Sequence, residues 1–567
     1  MTAPARTRTV APAWPLYLAA LAIAAVIAGA VGEAFSGGSL AELGIPDPGA
    51  ATTFGLPALR GMAWLLMALA TGSFMLAAFL VPPSQQGEDL NGARLTVDGH
   101  IASRTGAHAS AGVALIGLVM IPLVLSDVSG QPLKTVLFEA AAWSTALDQV
   151  ADARVWLIVA AFAAVVAVGG YTATSWWSQV ALFVGSILVV MPIALTGHSA
   201  TGGAHDFGTN SLIWHLVAML LWVGGLMALV AHAYRRGPGL AGAASRYSRI
   251  ALFAILAMAV SGVVNALVRV RLEDLTQYAY GWVLIIKTAG IIVLGLIGYV
   301  HRERTIPQLG SRPRAFTRLA AGEVVVMAAI SGLAVTLGRT PPPPPQDPNL
   351  TRMQVQMGYN LEEPLTWTNW LTHWRPELLF SVIAVLLAVY YLHLTRRVEG
   401  WPVGRTVWWL LGCATTVITL SSGLGMHMPA SYSAHMTVHM ILSMGVPVFL
   451  VLGAPLTLVR AAYPAGEFNP RLWAESFQRS KFLRVATYSP VSTIQFLVFF
   501  YAMYVIEPFY ELMISEHAGH VIMNAVFLLS GYFYFWELIG ADEIAGRPSA
   551  KVRLLWLWVS MPFHLFM

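Results

Sequence analysis

Apolar stretches long enough to cross a lipid bilayer recur along this chain from end to end, and that recurrence restricts the fold more than any motif does. A spanning helix needs about 20 mostly apolar residues. Lipid offers backbone groups no hydrogen bonds, so only helices and closed barrels cross it. Nine such stretches precede residue 340, near Trp14–Val31, Pro57–Val81, Thr105–Leu125, Ala153–Gly170, Trp177–Thr196, Ser211–Ala233, Arg246–Val268, Trp282–Val300 and Arg318–Leu337. Six follow, near Glu377–Leu394, Thr406–Ser421, Ala434–Val459, Tyr488–Ile506, Gly519–Ile539 and Leu554–Met567. Their length and apolar runs predict an all-α, polytopic helical membrane protein of about 15 transmembrane helices in two bundles. Composition agrees: 57% of the 567 residues are hydrophobic and 11% charged, against roughly 25% charged in an average soluble chain.

Pro341 to Pro345, followed by Gln-Asp-Pro-Asn, reads as an extended spacer without internal hydrogen bonds. It divides the chain into a first transmembrane domain over 1–340, a linker over 341–351 and a second domain over 352–567. Basic residues fix the orientation, because cytoplasmic loops are enriched in Lys and Arg. With the N-terminus inside, 24 of the 33 basic residues fall on the cytoplasmic side, eight fall outside and Lys287 lies within a helix. The N-terminal segment reads as a retained first helix rather than a cleaved signal. Pro132–Val150, interrupted by Lys134, Glu139 and Asp148, reads as an interfacial helix. No Lys/Arg run of the kind that binds nucleic acid is present, and the single cysteine, Cys413, excludes a disulfide or thiolate cluster within one chain.

One stretch carries chemistry. Met426 to Met444 reads MHMPASYSAHMTVHMILSM, with His427, His435 and His439 among Met426, Met428, Met436, Met440 and Met444. Positions four apart share a helix face, so His435 and His439 form one row and Met436, Met440 and Met444 another. Imidazole and thioether suit Cu(I), a soft ion; the alternative is methionine filling gaps in a membrane core. The orientation puts this stretch outside, together with His517 and His520 in SEHAGH, His198 and His205 in GHSATGGAHDFG, His215 at the start of the next helix, and His373. His564 lies deeper, in the last helix. His100, His108, His232, His301 and His393 fall near the cytoplasmic side with no metal role expected. Exposed thiols oxidise outside the cell, whereas Met and neutral His bind Cu(I) without adding negative charge. Asp206, Glu507, Glu511 and Glu516 are near enough in sequence to keep a zinc site open. Lys287 sits about 9 Å below the outer surface, counting 1.5 Å per residue. Either it has a function there or its stem snorkels outward; Asn265 lies at similar depth and can bond it. Glu323 is expected among the lipid headgroups.

Residues from about Ser186 to Pro345, including GHSATGG, IWHLVAMLLWVGGLMALV and GWVLIIKTAGIIVLGLIGYVHR, resemble the copper resistance protein CopD family. HMPASYSAHMTVHMILSMGVPVFLVLGAPLTL, SEHAGHVIMNAVFLLSGYFYFWELIG and MPFHLFM resemble the cytochrome c oxidase assembly protein CtaG family. The whole chain is similar to the fused CopD–CtaG membrane proteins of actinobacteria. The resemblance implies copper uptake or handling by the first half, and help in supplying copper to a haem–copper oxidase by the second. Its implied residues are His198, His215 and Lys287 in the first half, and His427, His435, His439, His517, His520 and His564 in the second. CtaG-like chains continue beyond a PFH motif, so a second domain shortened at its C-terminus is expected here.

These readings converge on a non-enzymatic, multi-pass protein of the bacterial plasma membrane. It binds copper, as Cu(I), at its outer face and passes it to cytochrome c oxidase subunits. The alternatives are a His-dependent membrane metalloenzyme holding iron or zinc, a bis-His haem protein, or a metal-free scaffold for the oxidase.

Overall fold

The computed structural model describes residues 12–42, 44, 46–84, 90–196, 203–340, 349–515 and 517–564. The proline run, His198 and Glu516 lie outside the described residues, as does the side chain of His564. Among the described residues the chain is helical, with no strand beyond two isolated bridges. Twelve helices among the described residues are long and apolar enough to cross a membrane, thirteen if one bent pair counts as a single span.

The chain divides into two compact units. The first comprises Met1–Ser84, Arg94–Thr201 and Ser211–Asn349; the second comprises Gln85–Ala93, Gly202–Asn210 and Leu350–Met567. Nine spans lie before the proline run, from Trp14–Phe35 to Pro313–Thr336. In the first unit, Gly55–Met75 is the hub, packed against Trp14–Glu42, Val97–Ser129, Trp176–Leu188 and Pro313–Thr336. It also meets the π-helical segment Leu220–Gly224, where a Cβ on Gly224 would lie 1.8 Å from the Ala68 carbonyl oxygen. Only glycine permits that backbone approach, as in small-residue packing between membrane helices. Leu256, Val260, Ile292 and Leu296 remain exposed on the outer spans, an apolar surface that lipid covers. The stretch after Pro132 forms two short helices, Leu133–Phe138 and Ala140–Gln149, neither long enough to cross.

The second unit is less regular. Phe380–Thr395 has 16 residues and Ala550–His564 has 15, short of the about 20 that a full crossing takes. Ser489–Val505 and Glu507–Ile514 meet at 81°. The cause is local: Pro508 has no N–H for the Tyr504 carbonyl and cannot continue the helix. Tyr391 stacks on Trp409 at 5.2 Å and donates its hydroxyl to the Gly453 carbonyl at 2.7 Å, closing the core between Phe380–Thr395 and Val403–Ser421. Two short segments from early in the chain complete this unit. Leu90 N–H donates to Ser476 Oγ at 2.9 Å, and Asp206 receives both arms of the Arg375 guanidinium at 2.7 Å each. Arg375 also lies over the rings of Phe207 and Tyr359, at 4.0 and 4.6 Å.

Candidate metal site

The site grows from the helix Tyr432–Met440, which passes directly into a π-helical turn, Ile441–Gly445. His435 and His439 are one turn apart, and their rings meet edge to face with centroids 4.4 Å apart. His520, from the helix His517–Ile539, brings a third ring to 5.4 Å from His435. The three are 3%, 0% and 6% exposed, so each must satisfy its nitrogens within the protein.

Hydrogen bonds decide which nitrogen is open. The Asn524 Oδ1 atom, which can only accept, lies 3.1 Å from His439 Nε2, so that nitrogen carries the proton. His439 Nδ1 then accepts from the Tyr504 hydroxyl at 2.6 Å. Both of its nitrogens are occupied. His435 differs: its ring bonds the Met428 backbone, while its buried Nε2 has no hydrogen-bond partner. With one nitrogen donating to a carbonyl, the other is left with a bare lone pair. Tyr432, Tyr504 and Tyr510 surround this pair, Tyr504 and Tyr510 lying 5.8 and 6.2 Å from the His435 ring.

A cavity of about 730 Å³ opens at His520, the one ring of the three that lines it. Met353, Met357, Met426 and Met428 line it, with His517 and His520. Asn524 also lines it, so the cavity reaches the group that holds His439. Asp206, Glu377 and Glu511 add negative charge to the wall, and Arg375 is held there by Asp206. His517 Nε2 donates to Asn210 Oδ1 at 3.1 Å, and Asn210 Nδ2 donates to Glu377 Oε1 at 3.1 Å. Glu377 lies outside the spans, and burial pushes its pKa up; the Ser381 and Leu379 N–H groups oppose that shift without cancelling it.

The remaining sequence candidates divide. Met436 and Met440, next to His435 and His439 in sequence, pack in a cluster with Tyr504 and Phe527. Met444 packs elsewhere, against Phe496, Tyr534 and Leu538. His427 is not brought to the trio: its Nδ1 lies 2.6 Å from the Gly423 carbonyl and its Nε2 2.9 Å from that of Glu363. It ties backbone together and presents no lone pair to an ion. In the first unit, Lys287 Nζ donates to His215 Nε2 at 3.3 Å, and His215 Nδ1 bonds Ser261 Oγ at 3.1 Å. Asn265 is not the partner of Lys287; it donates to Ser211 Oγ at 2.7 Å and to the Ser261 carbonyl at 3.1 Å. Helical spacing alone could not locate the imidazole 72 positions away. Glu323 is not among headgroups either: it is 3% exposed and pairs with His301 at 3.2 Å.

Among the described residues no three of His, Cys, Asp and Glu are grouped so as to hold one metal ion. Sequence reasoning missed Tyr504, Asn524, Met353 and Met357. Asn524 had a readable signal, as a polar residue one turn after His520 in an apolar helix.

Comparison with known proteins supplies the context. Residues 385–567 match the cytochrome c oxidase caa3 assembly factor (CtaG) family. Residues 241–337 match copper resistance protein D, and residues 50–206 match the copper resistance protein D-like N-terminal domain. An uncharacterized protein of Mycobacterium tuberculosis is 29% identical, over 97% of this chain and 81% of its own length. One of Mycobacterium leprae is 27% identical, over 92% and 77%. The copper transport protein CutJ of Bacillus subtilis is 26% identical over 43% of this chain and 46% of its own. No solved structure matches. The chain is a copper-related, multi-pass membrane protein of the fused CopD/CtaG type.

Proposed function

We propose that this protein accepts Cu(I) as cargo in the second unit and supplies it to a haem–copper oxidase during assembly. The observation that carries the reading is the buried Nε2 of His435, which has no hydrogen-bond partner and whose ring meets those of His439 and His520, the latter lining a cavity with four methionines. A lone pair in that setting loses its water without gaining a hydrogen bond, which is costly unless a cation occupies it. Cu(I) prefers imidazole and thioether donors, and neutral donors release it readily to the next carrier. Asp206, Glu377 and Glu511 attract the cation into the cavity, while His435 and His520, with Met436 and Met440, hold it. His517 and His427 act as supports through Asn210 and the backbone. His564 and His198 are proposed contributors from the last helix and from the loop before His205.

The membrane is the bacterial plasma membrane, with the N-terminus cytoplasmic and the His/Met cluster outside, a reading that the Lys/Arg distribution supports. The two domains flank the proline run, and the oxidase subunits are the receiving partners. CutJ, named for copper transport, supports a copper role for the CopD-like region. There Lys287 occupies the His215 nitrogen that copper would use, so uptake through that unit requires the ammonium to move aside.

The test is copper stoichiometry by elemental analysis of purified protein loaded with Cu(I). The parent chain should retain copper, and a His435/His439/His517/His520 alanine variant should retain at least one Cu(I) fewer. Equal copper in the two sinks the reading. In cells, the same variant should lower the copper content of the oxidase.

A further inference from the structure

Methionine is not spread evenly through the second unit. One buried cluster holds Met503, Met513 and Met523, with Met436 and Met440 packed against it; its other members are Phe500, Phe527, Tyr504, Phe509 and Val526. Half of that cluster is thioether and most of the remainder is aromatic. The neighbouring cluster around Val451, Leu483, Trp536 and Ile544 contains no methionine. The large core around Tyr391, Trp409 and Leu450 contains only Met428. Methionine used as gap filler would be shared among these cores. Here it is concentrated in the one that borders the histidines, where Phe527 lies 4.6 Å from the His439 ring.

Four helices bring these methionines into one cluster. Met436 and Met440 lie on Tyr432–Met440. Met523 lies one turn beyond His520, on the same helix face. Met503 and Met513 flank the 81° bend at Pro508, which turns Glu507–Ile514 back toward His517–Ile539. The contact between those helices depends on Gly519, where a Cβ would lie 1.8 Å from the Met513 carbonyl oxygen. Met503, Met513 and Met523 are 5%, 8% and 0% exposed.

We propose that Met503, Met513 and Met523 form a second, thioether-only Cu(I) site beside the histidine site, Met436 and Met440 belonging to the first. The inference rests on the copper reading above and extends it: Cu(I) held by nitrogen at His435 passes to sulfur alone. Thioethers are neutral and soft, and so suit a monovalent soft cation in an apolar setting. The faces of Phe500, Phe527 and Tyr504 add cation–π attraction where water is excluded. Nothing is oxidised or reduced; the ion exchanges ligands.

The test uses the full chain, titrated with Cu(I) against a Cu(I) chelator and then examined by X-ray absorption at the copper edge. The triple variant Met503→Leu, Met513→Leu and Met523→Leu removes sulfur at nearly constant volume. The parent should bind two Cu(I), with both nitrogen and sulfur scattering. The triple variant should keep one, with its sulfur signal reduced by at least half and its nitrogen signal intact. A smaller reduction, or two ions retained, overturns the proposal. A parent chain that binds one Cu(I) through nitrogen alone also overturns it while leaving the histidine site standing. A parent that binds no copper removes both readings. If the triple variant does not fold, Met523→Leu alone should weaken the second Cu(I) at least tenfold, and unchanged affinity counts against the site.

Discussion

His435 and His215 are both buried histidines in membrane helices of a copper-related protein, and they differ in one respect that decides what each can do. His215 has both nitrogens engaged, Nε2 by the Lys287 ammonium and Nδ1 by the Ser261 hydroxyl. His435 has a nitrogen with no hydrogen-bond partner, and its ring neighbour His520 lines a methionine-rich cavity. Burial and residue type are the same in the two cases. What separates a structural histidine from a ligand is whether a lone pair is left over, and only the partners of both nitrogens reveal that.

His435→Ala should therefore have the largest effect on metal binding, weakening Cu(I) at the histidine site by at least about 100-fold, or about 2.8 kcal/mol. His215→Ala should change it less than about threefold. Competition titration with a Cu(I) chelator measures both, and equal losses would erase the distinction. Lys287→Met tests the same difference from the other side. Without the ammonium, His215 Nε2 is bare and a thioether stands next to it, so the variant should bind one Cu(I) more than the parent. An unchanged stoichiometry would mean that the pocket around His215 excludes the ion for a reason other than Lys287.

Tyr504→Phe should act more gently. It removes the donor that occupies His439 Nδ1, at a cost to stability of about 0.5–1.5 kcal/mol for one lost hydrogen bond. It also releases a second lone pair beside His435. Cu(I) should bind a few-fold more tightly while the melting temperature falls. Weaker binding would show that Tyr504 positions His439 for the metal rather than shielding it.

Much of this architecture was legible in the sequence, because hydropathy records segment length directly. The nine spans before the proline run are the nine that hydropathy marks. The second unit was harder to read for a physical reason: a hydropathy window averages over a break. The Tyr488–Ile506 stretch looks like one crossing, yet Pro508 bends the chain and directs Glu507–Ile514 against His517–Ile539. The histidine trio was readable from helical spacing, His435 to His439 at one turn and His520 at a second helix mouth. The state of each nitrogen was not, since Tyr504, Asn524 and Lys287 meet their histidines across 65, 85 and 72 positions. Nor did any local pattern say that Asp206, in the first turn of the helix His205–Met219, anchors Arg375, 169 positions on in the same unit.

The two sites should part again under acid, by the smallest effect of the set. No carboxylate bonds His215, whereas the cavity beside His520 carries Glu377, tied through Asn210 to His517. Burial raises the Glu377 pKa above its ordinary value, so the folded protein holds that proton more tightly than the unfolded chain does. The stability this contributes is fully present below the ordinary glutamate value and is lost as the pH rises through the folded one. Stability should thus increase as the pH falls from neutral toward the acid range, with a slope of at most one proton, about 1.4 kcal/mol per pH unit. Glu377→Gln removes the titrating group and should flatten that part of the profile, read as the difference between parent and variant melting temperatures from pH 7.5 to 5. Parallel profiles would mean that Glu377 ionises as freely in the fold as out of it. The cavity wall would then be wetter than its hydrogen bonds to Leu379, Ser381 and Asn210 indicate.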